Sequence, residues 1–252
     1  MWKSPLRAVA AYLPKRIKEM LRSIVGPFAV QVVKATIRKR ERNCKSIRQF
    51  CSLIRSARGP WPIESLASTQ IESEIVALVG VVAKHGLRFA CEIGTGLGGT
   101  FYLLCKVAEA NATLITIDIN LPSWRIGLLQ SYATRDQKVF AIKGDSRRNE
   151  TLRYVERIVE GNTLDLLFID GDHSYSAVKL DFLNYSRFVA KGGLIAFHDI
   201  VPDYKTRYGI LTQSFTGGAP RFWNEIKGLY KHFELVEDQE QDGCGIGIIM
   251  WE

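Results

Sequence analysis

The sequence has little that would suit a membrane-spanning or disulfide-bonded protein. No apolar run reaches the roughly 18–20 residues that a bilayer-crossing helix needs, so no span is expected. Five cysteines, Cys44, Cys51, Cys91, Cys105 and Cys244, form no C-x-x-C pair and are odd in number. That excludes a disulfide framework and a cysteine zinc site, and it suits a reducing, cytoplasmic compartment. There is no internal repeat and no low-complexity tract. With 46% hydrophobic and 24% charged residues, wholesale disorder and coiled coils drop out as well. A secretory signal is not expected, because charges interrupt the N-terminal apolar segment and no small-residue cleavage site follows. An Arg-rich, acid-poor organellar transit peptide stays open.

Acidic residues are scarce in one place. Residues 1–58 hold 15 Lys and Arg against only Glu19 and Glu41, a net +13, whereas the remainder holds 19 bases and 24 acids, a net −5. The chain therefore reads as a basic helical extension over residues 1–60 and one α/β domain over 61–252. Leu13, Ile17, Met20, Leu21 and Ile24 recur at helical spacing, opposite Lys15, Arg16, Lys18 and Arg22. Gly26 and Pro27 are expected to break this helix. A second one should then start at Phe28, carry Val32, Val33 and Ile37, and end in Arg38, Lys39, Arg40 and Arg42, where cations suit the helix dipole. Two uses fit these helices. They cap the domain or join two copies into a homo-oligomer with a solvated basic face, or they lie peripherally on an anionic membrane.

Beyond Glu64 the pattern changes. Ile71, Ile75, Val76, Leu78, Val79 and Val82 predict a helix that ends near Gly86. Five short apolar runs follow, Arg88–Ile93, Leu114–Ile119, Val139–Ile142, Leu164–Ile169 and Leu194–Phe197, separated by helical stretches. Such runs predict buried parallel strands in a doubly wound, Rossmann-like sheet whose ligands bind beyond the strands' carboxyl ends. Phe233–Val236 and Ile246–Trp251 are separated by too few residues for a helical crossover and should pair antiparallel.

The first of these strands runs into Glu92-Ile-Gly94-Thr95-Gly96-Leu-Gly98-Gly99-Thr100. Glycines there allow a tight turn and a close approach of ligand to the next helix. Gly94, Gly96 and Gly99 also fit G-x-G-x-x-G, with Asp118 nineteen residues further on, as an NAD-dependent oxidoreductase would have. Three other features favour S-adenosylmethionine. Glu92 is placed for an ammonium group, Asp118 for ribose hydroxyls, and Gly144-Asp145-Ser146 lies where adenine would sit. The plainer alternative is that Glu92 and Asp145 only cap helices.

Taken with Leu164-Asp-Leu-Leu-Phe-Ile-Asp-Gly-Asp-His-Ser-Tyr175, Lys191-Gly-Gly-Leu-Ile-Ala-Phe-His-Asp199 and Pro220-Arg-Phe-Trp-Asn-Glu225, these residues resemble a class I methyltransferase of the catechol O-methyltransferase-like group. The likeness extends to bacterial macrocin-type sugar O-methyltransferases, some of which carry the name cephalosporin hydroxylase. It covers roughly residues 64–252, so the extension is expected to be dispensable for cofactor binding. The residues expected to touch S-adenosylmethionine are Glu92, Gly94, Thr95, Gly96, Gly98, Asp118, Asp145, Ser146 and Asp170.

Asp170 and the pair His198-Asp199 end neighbouring strands, and three donors converging from separate elements suit a divalent metal. The resemblance implies Mg²⁺ at these three positions, but with a carboxylate where this chain has His198. Imidazole suits Mn²⁺, Fe²⁺ or Zn²⁺ better. The resemblance also implies that His173 is the general base, a role that a near-neutral imidazole can fill. Asp172 is expected to cap the following helix. Val201–Ala219, with Tyr204, Tyr208, Phe215 and Gly217-Gly218, reads as a hinged lid over the acceptor. His85 and His232 are given no role. The activity implied is metal-assisted methyl transfer to a small-molecule hydroxyl, on a sugar or a glycosylated natural product. A nucleic-acid methyltransferase using the basic extension is the weaker rival, since no base-methylating motif or RNA-binding motif is present. A catalytically dead scaffold of the same fold is another.

Overall fold

The structure is a computed structural model that describes residues 12–63, 65–134 and 136–252. Seven strands form one sheet, β1 (Phe89–Ile93), β2 (Thr113–Asp118), β3 (Lys138–Lys143), β4 (Leu164–Ile169), β5 (Val189–His198), β6 (His232–Leu235) and β7 (Ile246–Met250). Their order is β3-β2-β1-β4-β5-β7-β6. The first five are parallel, while β7 lies antiparallel between β5 and β6. β2 and β4 are almost wholly buried, which is why they read as continuous apolar runs. The strand order reverses between β1 and β4, the place where a doubly wound sheet opens a crevice.

The extension departs from expectation. Residues Lys15–Glu41 form one continuous helix, α1, with Pro27 inside it. Pro27 is exposed, so its lost N–H bond falls on the solvent side, and Ala29, Val30, Val33 and Ile37 bury the opposite face. Gly26 explains why the helix continues. A Cβ there would lie 2.5 Å from Trp124 Cγ, so glycine is what lets α1 pack closely against α5 (Ser123–Gln130). α2 (Ile47–Ser56), N-capped by the Ser46 hydroxyl, adds Cys51, Leu53 and Ile54. These residues share one hydrophobic cluster with Leu114, Leu166 and Phe168 of the sheet, so the extension contributes to the domain's core.

By length and composition, α1 is the one helix among the described residues that could cross a membrane, contrary to the expectation from the sequence. In this structure it lies along the domain. The other helices are α3 (Glu72–His85), α4 (Gly99–Val107), α6 (Asn149–Val159), α7 (Tyr175–Tyr185), α8 (Tyr204–Tyr208) and α9 (Ala219–Ile226). A second hydrophobic cluster, with Val155, Phe182, Phe197 and Trp223, covers the other sheet face.

Candidate active site

Two neighbouring cavities open at the carboxyl ends of the strands, of about 380 and 360 Å³. Gly94, Gly96 and Asp170 line both. The strand ends are tied together by Gly94 N donating to Ile117 O and Asp170 N donating to Ile93 O, each at 2.8 Å. Gly94 has φ +95°, and a Cβ on it would collide with the Asp170 carbonyl, so no other residue fits this turn.

The first cavity runs along Asp118, Asp145 and Ser146. Asp118 accepts from Gly96 N (3.1 Å) and Asn120 N (2.7 Å), which places its carboxylate beside the glycine loop. Asp145 is held by the Arg147 side chain and N–H, and these bonds keep its carboxyl below the usual range. Ser146 Oγ donates to Asp181 of α7 at 2.6 Å. Burial pushes Asp181 up to about 6 against that hydrogen bond.

Glu92 lines neither cavity. It is 1% exposed, accepts from Thr116 Oγ1 at 2.6 Å, and leaves Oε1 buried without a partner. Burial raises its pKa well above the ordinary value. Thr95 and Thr116 share a hydrogen bond of 2.6 Å, so Thr95 links this carboxyl to the glycine loop. Gly98, in left-handed conformation, is the N-cap of α4, whose first turn faces the second cavity.

The second cavity brings together Asp170, His173, His198 and Asp199. His173 Nδ1 lies 3.0 Å from Asp199 Oδ2 and 2.7 Å from Phe215 O, and His173 Nε2 is 3.8 Å from Asp170 Oδ1. Hydrogen bonding to Asp199 raises His173 to about 9 against its burial. His198 Nδ1 is 3.0 Å from Asp170 Oδ1 and 3.4 Å from Asp199 Oδ2. Burial opposes charge on His198, but the Asp170 carboxylate and the hydrogen bonds outweigh it and raise its pKa. Asp199 is lowered in turn, since the two imidazoles outweigh its own burial. The two imidazoles and the carboxylates of Asp170 and Asp199 thus hold one another in place by charge and hydrogen bonding. His198 Nε2 is buried and makes no hydrogen bond to the protein, as a ring nitrogen placed for coordination would. Two sets of donors, Asp170 with His173 and Asp199, and His198 with Asp199 and Cys244, each bring one ligand atom per residue within 4.8 Å of one another. The cavity's donors therefore fit a divalent metal, with His173 rather than His198 grouped with Asp170 and Asp199.

Several residues differ from expectation. Asp172 is not the cap of α7. That role falls to Ser174, which accepts from Ala177 N, while Asp172 accepts from Ser174 N and pairs with Arg147. Of the lid aromatics only Phe215 lines the second cavity, stacked on His173 at 13°. Tyr204 and Tyr208 pack on each other instead. Gly217 and Gly218 lie against the backbones of His173 and Tyr175 with no room for a Cβ, so they serve close packing. The sequence reading missed Gln70. Its Nε2 donates to Asp170 Oδ2 at 2.5 Å and its Oε1 accepts from Thr100 Oγ1 at 2.8 Å, which fixes the Asp170 carboxylate from the far side. It missed Arg125 too, whose Nη1 donates to Gly96 O at 2.7 Å.

Residues 91–200 match the family described as a methyltransferase domain. Over that stretch, under half of its length, the chain is similar to a methyltransferase domain. Beyond the family match, the uncharacterized protein R132 of Acanthamoeba polyphaga mimivirus is 52% identical over 144 residues, covering 51% of this chain and 58% of that protein. The chain thus spans under two thirds of that relative's length. Among solved structures, an O-methyltransferase from Bacillus cereus in complex with SAH aligns at TM-score 0.58 and 15% identity over 88% of this chain and 99% of that one. The O-methyltransferase TomG from Streptomyces achromogenes, involved in tomaymycin synthesis and in complex with SAM, aligns at 0.56 and 13% over 83% and 92%. At these identities the likeness establishes the fold, a class I methyltransferase sheet with its antiparallel β7. The match to a methyltransferase domain and the antiparallel β7 favour the S-adenosylmethionine reading of the glycine loop over the nicotinamide one.

Proposed function

We propose that this chain is an S-adenosylmethionine-dependent O-methyltransferase acting on a hydroxyl of a small molecule, with a sugar or glycosylated natural product as the acceptor class. The observation that carries the reading is the pair of cavities sharing Gly94, Gly96 and Asp170. One is walled by carboxylates suited to ribose and adenine, and the other holds an imidazole and the metal-type donors. In the reaction the acceptor oxygen attacks the methyl carbon, the carbon–sulfur bond breaks, and S-adenosylhomocysteine leaves. The acceptor's proton goes to neutral His173, which Asp199 and Phe215 hold in place. A divalent ion, Mg²⁺ or Mn²⁺, held by Asp170, His198 and Asp199 would lower the pKa of the acceptor hydroxyl. Gln70 keeps Asp170 oriented for that purpose.

The direct test incubates the protein with S-adenosylmethionine, Mg²⁺ or Mn²⁺ and a cell extract, and follows the gain of one methyl group by mass spectrometry. Methylation of a nitrogen or carbon acceptor alone would overturn the O-methyl assignment.

A second contact belongs to the same reading. Ile17, Met20, Ile24, Phe28 and Val32 form an exposed stripe on the outer face of α1, with Phe28 68% exposed. Arg38 and Lys39 continue that face, and among residues 1–58 the acids are only Glu19 and Glu41. Glu41 is already engaged by Lys106 and Tyr102. An apolar stripe on a helix rich in cations and poor in acids suits the surface of an anionic bilayer. Salt-sensitive flotation with phosphatidylserine vesicles tests it. A dimer in solution that ignores the vesicles would instead mean that a second copy covers the stripe.

A further inference from the structure

Cys244, to which the sequence reading gave no role, stands beside the proposed metal ligands. It lies in the loop between β6 and β7, and its N–H donates to Asp199 Oδ1 at 3.2 Å. Its carbonyl accepts from Val201 N at 2.9 Å. The loop is pinned from below by buried Glu74, which accepts from Gln241 Nε2 at 2.7 Å and Gly245 N at 3.0 Å. Asp199 and Cys244 are both in left-handed backbone conformation, at φ +59° and +61°.

One ligand atom each from His198, Asp199 and Cys244 lie within 4.8 Å of one another. The independent sign of a missing ligand is His198. The residue is only 6% exposed, its Nδ1 is taken by Asp170, the Cys244 side chain interacts with its ring, and its Nε2 makes no hydrogen bond of ordinary geometry. A buried ring nitrogen left in that state needs a partner. Among the described residues, the other free cysteines lie outside any such grouping of possible metal donors.

We infer that His198, Asp199 and Cys244 form a nitrogen, oxygen and sulfur site for a thiophilic divalent ion such as Zn²⁺, Fe²⁺ or Co²⁺ in preference to Mg²⁺. The inference deepens the metal-assisted reading above, because it shares His198 and Asp199 with it. Soft thiolate and borderline imidazole select these ions, whereas Mg²⁺ takes oxygen donors. On binding, the Cys244 thiol gives its proton to solvent and the sulfur bonds to the metal.

The test uses the full chain, freed of metal by a chelator and titrated with Co²⁺. The expected result is a thiolate-to-cobalt charge-transfer band in the near ultraviolet that persists in excess Mg²⁺. Cys244→Gly, which the positive φ tolerates, should lose the band. Its Co²⁺ affinity should fall by at least the roughly 10–100-fold that loss of an outer-shell partner alone costs. Co²⁺ binding with no band and with equal affinity in Cys244→Gly would overturn sulfur ligation and leave the Asp170, His198 and Asp199 reading standing. Displacement of Co²⁺ by equimolar Mg²⁺ would overturn the selectivity. Absence of any binding of Co²⁺, Mn²⁺ or Mg²⁺ would overturn both metal assignments, while S-adenosylhomocysteine binding would still report on the methyltransferase reading. Should Cys244→Gly fail to fold, the wild-type cobalt spectrum decides alone.

Discussion

Nδ1 of His173 lies 3.0 Å from the carboxylate of Asp199, the residue that also contacts His198 and Cys244. That contact fixes the imidazole under Phe215 and pushes its pKa up to about 9. A base must be neutral, so activity should rise as the proton leaves. His173→Ala should lower kcat by about 10²–10⁴-fold and abolish the acidic limb of the pH profile, with cofactor affinity nearly intact. A variant that keeps both the rate and the limb would leave His173 a packing role only.

Asp118→Ala should weaken S-adenosylhomocysteine binding. The carboxylate both lines the first cavity and holds Gly96 N, so its loss removes a charged acceptor worth roughly 1.5–3 kcal/mol, about 10–150-fold in affinity. Calorimetry reads this directly, and an unchanged dissociation constant would remove Asp118 from the cofactor site.

Gln70 offers a test of orientation rather than charge. Gln70→Ala frees Asp170 Oδ2 and leaves Thr100 unpaired, so Mn²⁺ affinity should fall roughly 10–100-fold. Gln70→Glu sets a second carboxylate against Asp170 and should be worse at neutral pH. Equal Mn²⁺ affinity in all three proteins would make Gln70 a structural residue alone.

Asp181 predicts a pH dependence of stability. Its folded pKa is raised to about 6 by burial, so the folded chain binds this proton more tightly than the unfolded chain does. The sign follows: stability from this group is present at low pH and is lost as pH rises from 3.8 through about 6, a loss of roughly 3 kcal/mol. Asp181→Asn keeps an acceptor for Ser146 and should flatten that slope in urea denaturation. An identical slope in the variant would assign the effect to other groups.

Two changes separate the faces of α1. Met20→Glu with Ile24→Glu should abolish vesicle flotation with little change in Tm, because both residues are exposed. Removing residues 1–58 should instead lower Tm steeply or prevent folding, because Val30, Val33, Ile37, Leu53 and Ile54 belong to the main core. A truncated chain as stable as the full one would restore the extension to an independent, dispensable segment.

Much of the sheet could be read in the sequence because buried parallel strands are unbroken apolar runs. The placement of Asp118, Asp170, His198 and Asp199 at neighbouring strand ends was legible because the ends of such strands converge. What escaped depended on contacts between distant parts of the chain. Gln70 sits in no motif and reaches Asp170 one hundred residues later. Cys244 gains meaning only when the antiparallel β7 brings its loop to Asp199. The glycine at 26 looked like a helix end until Trp124 of a separate helix was set against it. Tyr204 and Tyr208 had the right composition for a binding loop, yet their rings pair with each other.

The position of β7 has a consequence for how the site is assembled. β6 precedes β7 in the chain but pairs only with β7, and it is β7 that covers the side of β5 away from β4. During synthesis, then, β6 emerges with no neighbour to join, and the β5 edge carrying His198 stays open until residue 250 has left the ribosome. Such long-range pairing is slow to form and leaves strand edges exposed meanwhile. The hydrogen bond from Cys244 N to Asp199 therefore waits on the pairing of β7, and the wall of the second cavity beside His198 is among the last parts of the site to be built.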